Sequence, residues 1–188
     1  MASQVYNMEM YLMKKDLLMD LVRTSLAKGQ DHLVRHAIFS RLNELNVYGY
    51  KHDGFLACVN TITSYYQNSM KLLQPNVWRE LFYEPGSIYT KVQDGAPARY
   101  LEGAIVEGSL IANGCVIEGT VRNSILFRGV HVAKDAIVED SIIMQNGKIY
   151  PNSQVKCSIL DKDVVIEAGR YVKGVETGPY LVGKRRVI

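Results

Sequence analysis

From residue 101 onward the apolar positions fall about six apart, as at Ile105, Ile111 and Ile117 or at Val132 and Val138, and no helical period survives. A longer period lies over this one. The tetrads Asn123-Ser-Ile-Leu126, Asp140-Ser-Ile-Ile143 and Cys157-Ser-Ile-Leu160 recur every 17 residues, as do Val121, Val138 and Val155, and again Val132, Ile149 and Ile166. Three columns sharing one period predict three short strands per turn, with turns stacked into a triangular parallel β-helix and the recurring aliphatic residue pointing inward. Gly108, Asn113-Gly114, Gly119 and Asn146-Gly147 suit corners that need unusual backbone angles. The first turn is shorter, since Ser109 to Ser124 is 15 residues. Between Leu101 and Val175 the pattern predicts roughly four to five turns, which need stacking and capped ends because no single unit buries its own apolar face. The open edge of such a prism is a natural place for association.

The pattern before residue 76 is different and reads as mixed α/β. Asn7 to Met13 is a short apolar, aromatic run with the character of a buried strand. Asp16 is placed to cap a helix that presents Leu17, Leu18, Leu21 and Val22 and stops at Gly29. A second helix is expected from Asp31, with Val34, Ile38, Leu42 and Leu45 at near-helical spacing. Val47 to Lys51 and Phe55 to Val59 read as strands around Asp53 and Gly54. A third helix follows Asn60 or Thr61, carries Tyr65, Tyr66, Met70 and Leu73, and ends before Pro75. Residues 76–100 form a connector broken by Pro85, Gly86, Gly95 and Pro97, in which Trp78 to Tyr83 is a short helical turn whose aromatics pack between domains. The expected organisation is therefore an α/β piece over 1–75, a linker over 76–100 and a β-helix over 101–188.

Composition narrows the function classes. Of 188 residues, 47% are hydrophobic and 22% charged, enough to bury a core. The net charge of +3 is scattered, with only Lys184, Arg185 and Arg186 clustered, so it gives no nucleic-acid stripe. No apolar run has the length of a membrane span, and the first residues lack a basic-then-apolar signal pattern. Three unclustered cysteines (Cys58, Cys115 and Cys157) fit a reducing compartment, and the expected location is cytoplasmic.

The chain carries few motifs of known chemistry. There is no phosphate-cradling or dinucleotide glycine pattern and no Cys-x-x-Cys pair. His32 and His36, four apart, share a helix face as a metal pair would, but no third ligand accompanies them. His131, the histidine of the repeat region, is the candidate general base if the β-helix were that of a hexapeptide acyltransferase; no inserted loop beside it shapes an acceptor pocket. Arg99, Arg122, Arg128, Lys134, Lys148 and Lys156 are candidates for an anionic effector by charge alone, against the simpler reading of a solvated strand face.

Several longer segments resemble one family. Asn7-Met-Glu-Met-Tyr11 with the residues after it, the stretch from Gly54 to Leu73, the linker from Ser87 to Tyr100, and the repeats from Val106 to Val132 and from Ser141 to Ile166 are similar to glucose-1-phosphate adenylyltransferase (ADP-glucose pyrophosphorylase), and more narrowly to its regulatory, GlgD-type subunit. The resemblance runs over essentially the whole chain. It implies a mainly β protein: a C-terminal left-handed parallel β-helix of hexapeptide repeats, preceded by the last part of a nucleotidyltransferase-type α/β domain. The family's nucleotide loop and its sugar-phosphate lysine have no counterpart here, which implies a chain that starts after them.

The departures from the family are as informative. In catalytic subunits the segment matching Gly54 to Leu73 carries an aspartate that helps hold magnesium. Here the matching position is Cys58, followed two residues on by Asn60 in place of glycine. A thiol does not replace a hard oxygen ligand. The segment from His32 to His36 matches a family stretch bearing two acids and has neither, and Glu9 replaces a glycine beside Tyr11. The resemblance thus implies a non-catalytic subunit with no catalytic, cofactor or metal residue of its own, in a family that uses Mg2+. It would work in a hetero- or homo-oligomer with the catalytic subunit, binding neither nucleic acid nor membrane. An active sugar-phosphate nucleotidyltransferase and a hexapeptide acyltransferase are the alternatives.

Overall fold

The computed structural model describes residues 7–84, 86, 88–89 and 94–188. The chain divides after His52 into two compact units.

In the first unit, α1 spans Lys15–Ala27, followed by a π-helical turn Leu33–Ile38 and a 3-10 turn Phe39–Arg41. Helix α1 ends as the sequence suggests, with Gly29 at φ +68. Its start differs. Lys14 is the N-cap with no side-chain bond, and Asp16 lies inside the first turn, where a carboxylate favours the positive end of the helix dipole. The helix expected from Asp31 is realised as the two tighter and wider turns instead. Leu21, Ala37 and Ile38 are the buried hydrophobic residues of this unit, with Met13, Leu33 and Leu45 against them. Arg41 joins the two arms through Asp20 (2.9 Å) and Glu44 (2.8 Å).

Neither Asn7 to Met13 nor Val47 to Lys51 forms a strand, and the same holds for Phe55 to Val59 in the second unit. The composition suits strands, but a strand must hand its N–H and C=O groups to a neighbour. Among the described residues no strand pairs with these segments. Leu12, Tyr48 and Tyr50 are accordingly almost fully exposed.

The second unit contains α2 (Ile62–Met70), a 3-10 turn Lys71–Leu73, α3 (Pro75–Phe82) and the β-helix. Thr61 caps α2 in a reciprocal box: its Oγ1 accepts the Ser64 N–H (3.0 Å) and Ser64 Oγ accepts the Thr61 N–H (2.9 Å). Pro75 opens α3, a position where its missing N–H costs nothing. Pro85 and the linker residues Ser87 and 90–93 lie outside the described residues. The connector's aromatics are not buried: Trp78 and Tyr83 face each other at 6.4 Å and stay 40% and 76% exposed.

The β-helix has five turns of three strands. They are β1 (Arg99–Tyr100), β2 (Ile105–Glu107) and β3 (Leu110–Ile111); then β4 (Val116–Ile117), β5 (Thr120–Arg122) and β6 (Ile125–Leu126); then β7 (His131–Val132), β8 (Ile137–Glu139) and β9 (Ile142–Ile143); then β10 (Lys148–Ile149), β11 (Gln154–Lys156) and β12 (Ser158–Leu160); and β13 (Val165–Ile166), β14 (Tyr171–Lys173) and β15 (Tyr180–Val182). Each turn gives one strand to each of three parallel sheets: A from β1, B from β2 and C from β3 onward. The register follows the sequence period. Val106, Val121, Val138, Val155 and Val172 pair in one column, and Ile117, Val132, Ile149 and Ile166 in another. These side chains fill the prism, with Val121, Val132 and Val138 fully buried.

The corners separate two reasons for small residues. Gly108, Gly114 and Asn146 are left-handed, as the sequence suggests. Gly119 is not; a Cβ there would collide with the Ala136 and Ala133 carbonyl oxygens of the next turn. At the corner between sheets B and C, Gly108, Asn123, Asp140 and Cys157 share left-handed angles of +54, +44, +47 and +44.

Candidate functional site

Sheet C is apolar on both faces, and that determines where α2 lies. Leu126, Ile143 and Leu160 point into the prism, while their neighbours Ile125, Ile142 and Ile159 point outward and are also buried. The cover is α2 with the turn after it, through Tyr65, Tyr66, Met70 and Leu73. An outward row of isoleucines on an otherwise solvated strand face loses its hydration cost only under such a cover.

Tyr66 fixes the register of this contact. Its ring is 3% exposed and its hydroxyl donates to the Asp140 carbonyl at 2.6 Å. That carbonyl belongs to one of the left-handed corner residues, and the Cys157 thiol of the next corner lies beside the same hydroxyl. Burial, reinforced by Cys157 and the Asp140 charge, pushes the Tyr66 phenol well above the usual tyrosine range. Burial likewise raises the Cys157 thiol, with the Asp140 carboxylate adding to it, so both groups keep their protons at neutral pH.

Beneath the corner runs a chain of hydroxyls. Ser109, Ser124 and Ser141 each accept, through Oγ, the N–H of the serine one turn on, at 3.0, 3.1 and 3.1 Å. Each serine, including Ser158, donates its own hydroxyl to the carbonyl two residues back, between 2.6 and 2.8 Å. Ser124, Ser141 and Ser158 are fully buried, and their polar atoms are satisfied within this ladder. The sequence shows the serines as a period marker; their role is visible only once the turns are stacked.

The segment leading into α2 carries position 58. Phe55 donates its N–H to the Glu80 carboxylate of α3, and Asn68 Nδ2 of α2 donates to the Cys58 carbonyl at 3.1 Å. The Cys58 residue is exposed. Among the described residues no group of three His, Cys, Asp or Glu side chains stands together to hold a metal ion. A soft, exposed thiol with no neighbouring acid cluster is a poor donor set for magnesium, which takes hard oxygen ligands in a strict octahedron. Next to this segment, Val59, Ile62, Tyr65, Met144, Ile159 and Leu181 line an open, mostly apolar cavity of about 470 Å³ at the C-terminal end of sheet C.

The other candidates are dispersed. His32 Nδ1 accepts the Arg35 N–H and His36 Nδ1 the His32 N–H, both at 3.3 Å, so these nitrogens serve the start of the π-helical turn. His131 sits half-exposed on sheet A, 3.5 Å from Glu118. Arg122 and Lys156 belong to a cross-strand row with Glu107 and Glu139. Lys156, and after it Arg122, holds the Glu139 carboxyl below the usual glutamate range. Among the described residues, the ion pairs of this row do not include Arg99, Lys134 or Lys148.

Comparison with known proteins adds the following. Residues 96–177 match the GlmU-like C-terminal hexapeptide family. The chain is 36% identical over 178 residues to the glycogen biosynthesis protein GlgD of Bacillus subtilis (strain 168), which covers 95% of this chain and 52% of that protein. It is 40% identical over 132 residues to GlgD of Geobacillus stearothermophilus, covering 70% and 38%. Against the glucose-1-phosphate adenylyltransferase of Desulfitobacterium hafniense (strain Y51) it is 30% identical over 169 residues, covering 88% and 42%. The chain thus spans about half the length, or less, of these curated relatives.

Proposed function

We propose, from the premise that this chain is a homologue of the GlgD and glucose-1-phosphate adenylyltransferase proteins over nearly its whole length, that it acts in glycogen biosynthesis as a non-catalytic, regulatory subunit. In this reading a catalytic partner makes ADP-glucose and pyrophosphate from ATP and glucose 1-phosphate in the cytoplasm. This chain supplies the β-helix as an assembly module and modulates its partner, without chemistry of its own.

The observation that carries the reading is position 58. The residue that the resemblance aligns with a magnesium-holding aspartate is an exposed thiol, and no acid cluster surrounds it among the described residues. A divalent ion that neutralises charge during nucleotidyl transfer needs oxygen donors at that place. His131 favours the acyltransferase alternative no further, because its described partner is a surface glutamate rather than an acceptor pocket. Assembly is testable directly. The chain is mixed with a catalytic relative and the complex is weighed by native mass spectrometry. A mass containing both chains is expected; two separate species at all ratios would reject the assembly role.

A further inference from the structure

We propose that Trp78 and Tyr83, on α3 and at its C-terminal end, form a platform on which an uncharged, α-linked glucose chain stacks. Helix α3 sorts its apolar side chains in a way that core packing alone does not explain. Val77 is buried and Leu81 half-buried, whereas Trp78, Phe82 and Tyr83 all remain exposed. The aliphatic residues are turned in and the aromatic ones out. Burying such rings gives a large gain, so leaving them open together on one short element is the mark of a binding surface. The scaffold under them is well tied. Pro75 opens the helix, the Trp78 N–H donates to the Gln74 carbonyl (3.0 Å) and the Tyr83 N–H to the Arg79 carbonyl (2.9 Å). Glu80 accepts the Phe55 N–H, which joins α3 to the segment before α2.

The chemistry of the patch selects the ligand. The two ring centroids lie 6.4 Å apart and the ring planes are tilted by 32°, a shallow, bent pair rather than a parallel stack. Aromatic faces are negative and attract the polarised C–H groups on the face of a sugar ring. A sugar ring also carries a rim of hydroxyls. Exposed Gln74, Asn76, Arg79 and Glu84 lie on the same helix and at its ends, with the donors and acceptors that such a rim needs. Arg79 stands in sequence beside Glu80 and close to Glu84, a balance of charge that favours an uncharged ligand over a phosphorylated one. The tilt suits a chain whose successive rings turn against one another, as α-1,4-linked glucose units do, over the flat ribbon of a β-1,4-linked chain. The choice of glucose as the sugar rests on the proposed place in glycogen biosynthesis; the ring geometry does not.

Trp78 is the sole tryptophan of the chain, so its fluorescence reports on the platform directly. The chain is titrated with maltoheptaose, and with cellohexaose as the β-linked control. Maltoheptaose should shift the emission saturably and cellohexaose should leave it unchanged. Tyr83→Ala keeps the tryptophan and should weaken maltoheptaose about tenfold. Its thermal melt should not fall, because Tyr83 is exposed, which separates lost binding from lost folding. No saturable shift with maltoheptaose, an equal response to cellohexaose, or undiminished binding by Tyr83→Ala overturns the proposal. So does a shift produced by a proline-rich peptide and not by maltoheptaose, because another protein chain would then be the occupant. Assembly with a catalytic relative is read separately, by mass. A complex without a maltoheptaose response rejects this inference alone, and a maltoheptaose response without a complex rejects the assembly role alone.

Discussion

Tyr66 and Cys157 meet at one corner of the β-helix, and each has a measurable consequence. Tyr66→Phe removes the bond to the Asp140 carbonyl while keeping the ring, and should cost about 1 kcal/mol in urea unfolding. Because the folded phenol titrates above its unfolded value, the unfolded chain ionises first as pH rises. The wild-type chain should therefore lose stability from about pH 10 upward, and Tyr66→Phe should lose less over that window, as read from unfolding midpoints across alkaline pH. Cys157 is the other case. A left-handed angle costs an ordinary side chain about 1–2 kcal/mol and Asn much less. The same place one and two turns earlier holds Asp140 and Asn123. Cys157→Asn should raise the unfolding free energy by about 1 kcal/mol, and a fall would show that the thiol's packing under Tyr66 outweighs the backbone strain. The recurrence of Asn123, Asp140 and Cys157 is plain in the sequence. Their shared backbone angle and the tyrosine above them are not, because Tyr66 lies 74 residues from its partner.

Among the elements, the strands of the β-helix were the most legible, since a solenoid repeats its own environment and the repeats print it in the sequence. The Ser-Ile-Leu and Ser-Ile-Ile units carry two further messages. Adjacent apolar residues on one strand mean that both faces are covered, and the cover is α2. A serine before them supplies both a donor and an acceptor inside the wall. Ser141→Ala leaves the Ser158 N–H and the Glu139 carbonyl without those bonds in a buried setting, and should cost about 2 kcal/mol. Ser40→Ala, at an exposed hydroxyl, should change stability by no more than about 0.5 kcal/mol. Equal effects in chemical unfolding would mean that the ladder contributes nothing specific. The strands read over Asn7 to Met13, Val47 to Lys51 and Phe55 to Val59 were not realised for the converse reason. Their composition is local, but a strand is completed by a neighbour, and none is present among the described residues.

For the whole molecule, the fold was legible where the chain contacts itself periodically and much less so where it does not. The first unit holds three buried residues as its core, whereas the second carries a continuous one through five turns together with the helix that covers sheet C. The candidate site follows the same division. Position 58 stands out in the sequence through the resemblance, while its attachment to α2 through Asn68, and the attachment of α2 to the β-helix through Tyr66, exist only in the folded chain. The proposed role places assembly in the β-helix and withholds chemistry from position 58. Pyrophosphate release from ATP and glucose 1-phosphate measures that most directly, with the chain assayed alone, as Cys58→Asp and mixed with a catalytic relative. No release is expected from the chain or from Cys58→Asp alone, and a changed rate is expected when the catalytic relative is added to the wild-type chain compared with that relative by itself. Robust release from the chain alone that disappears on substituting Cys58 would contradict it.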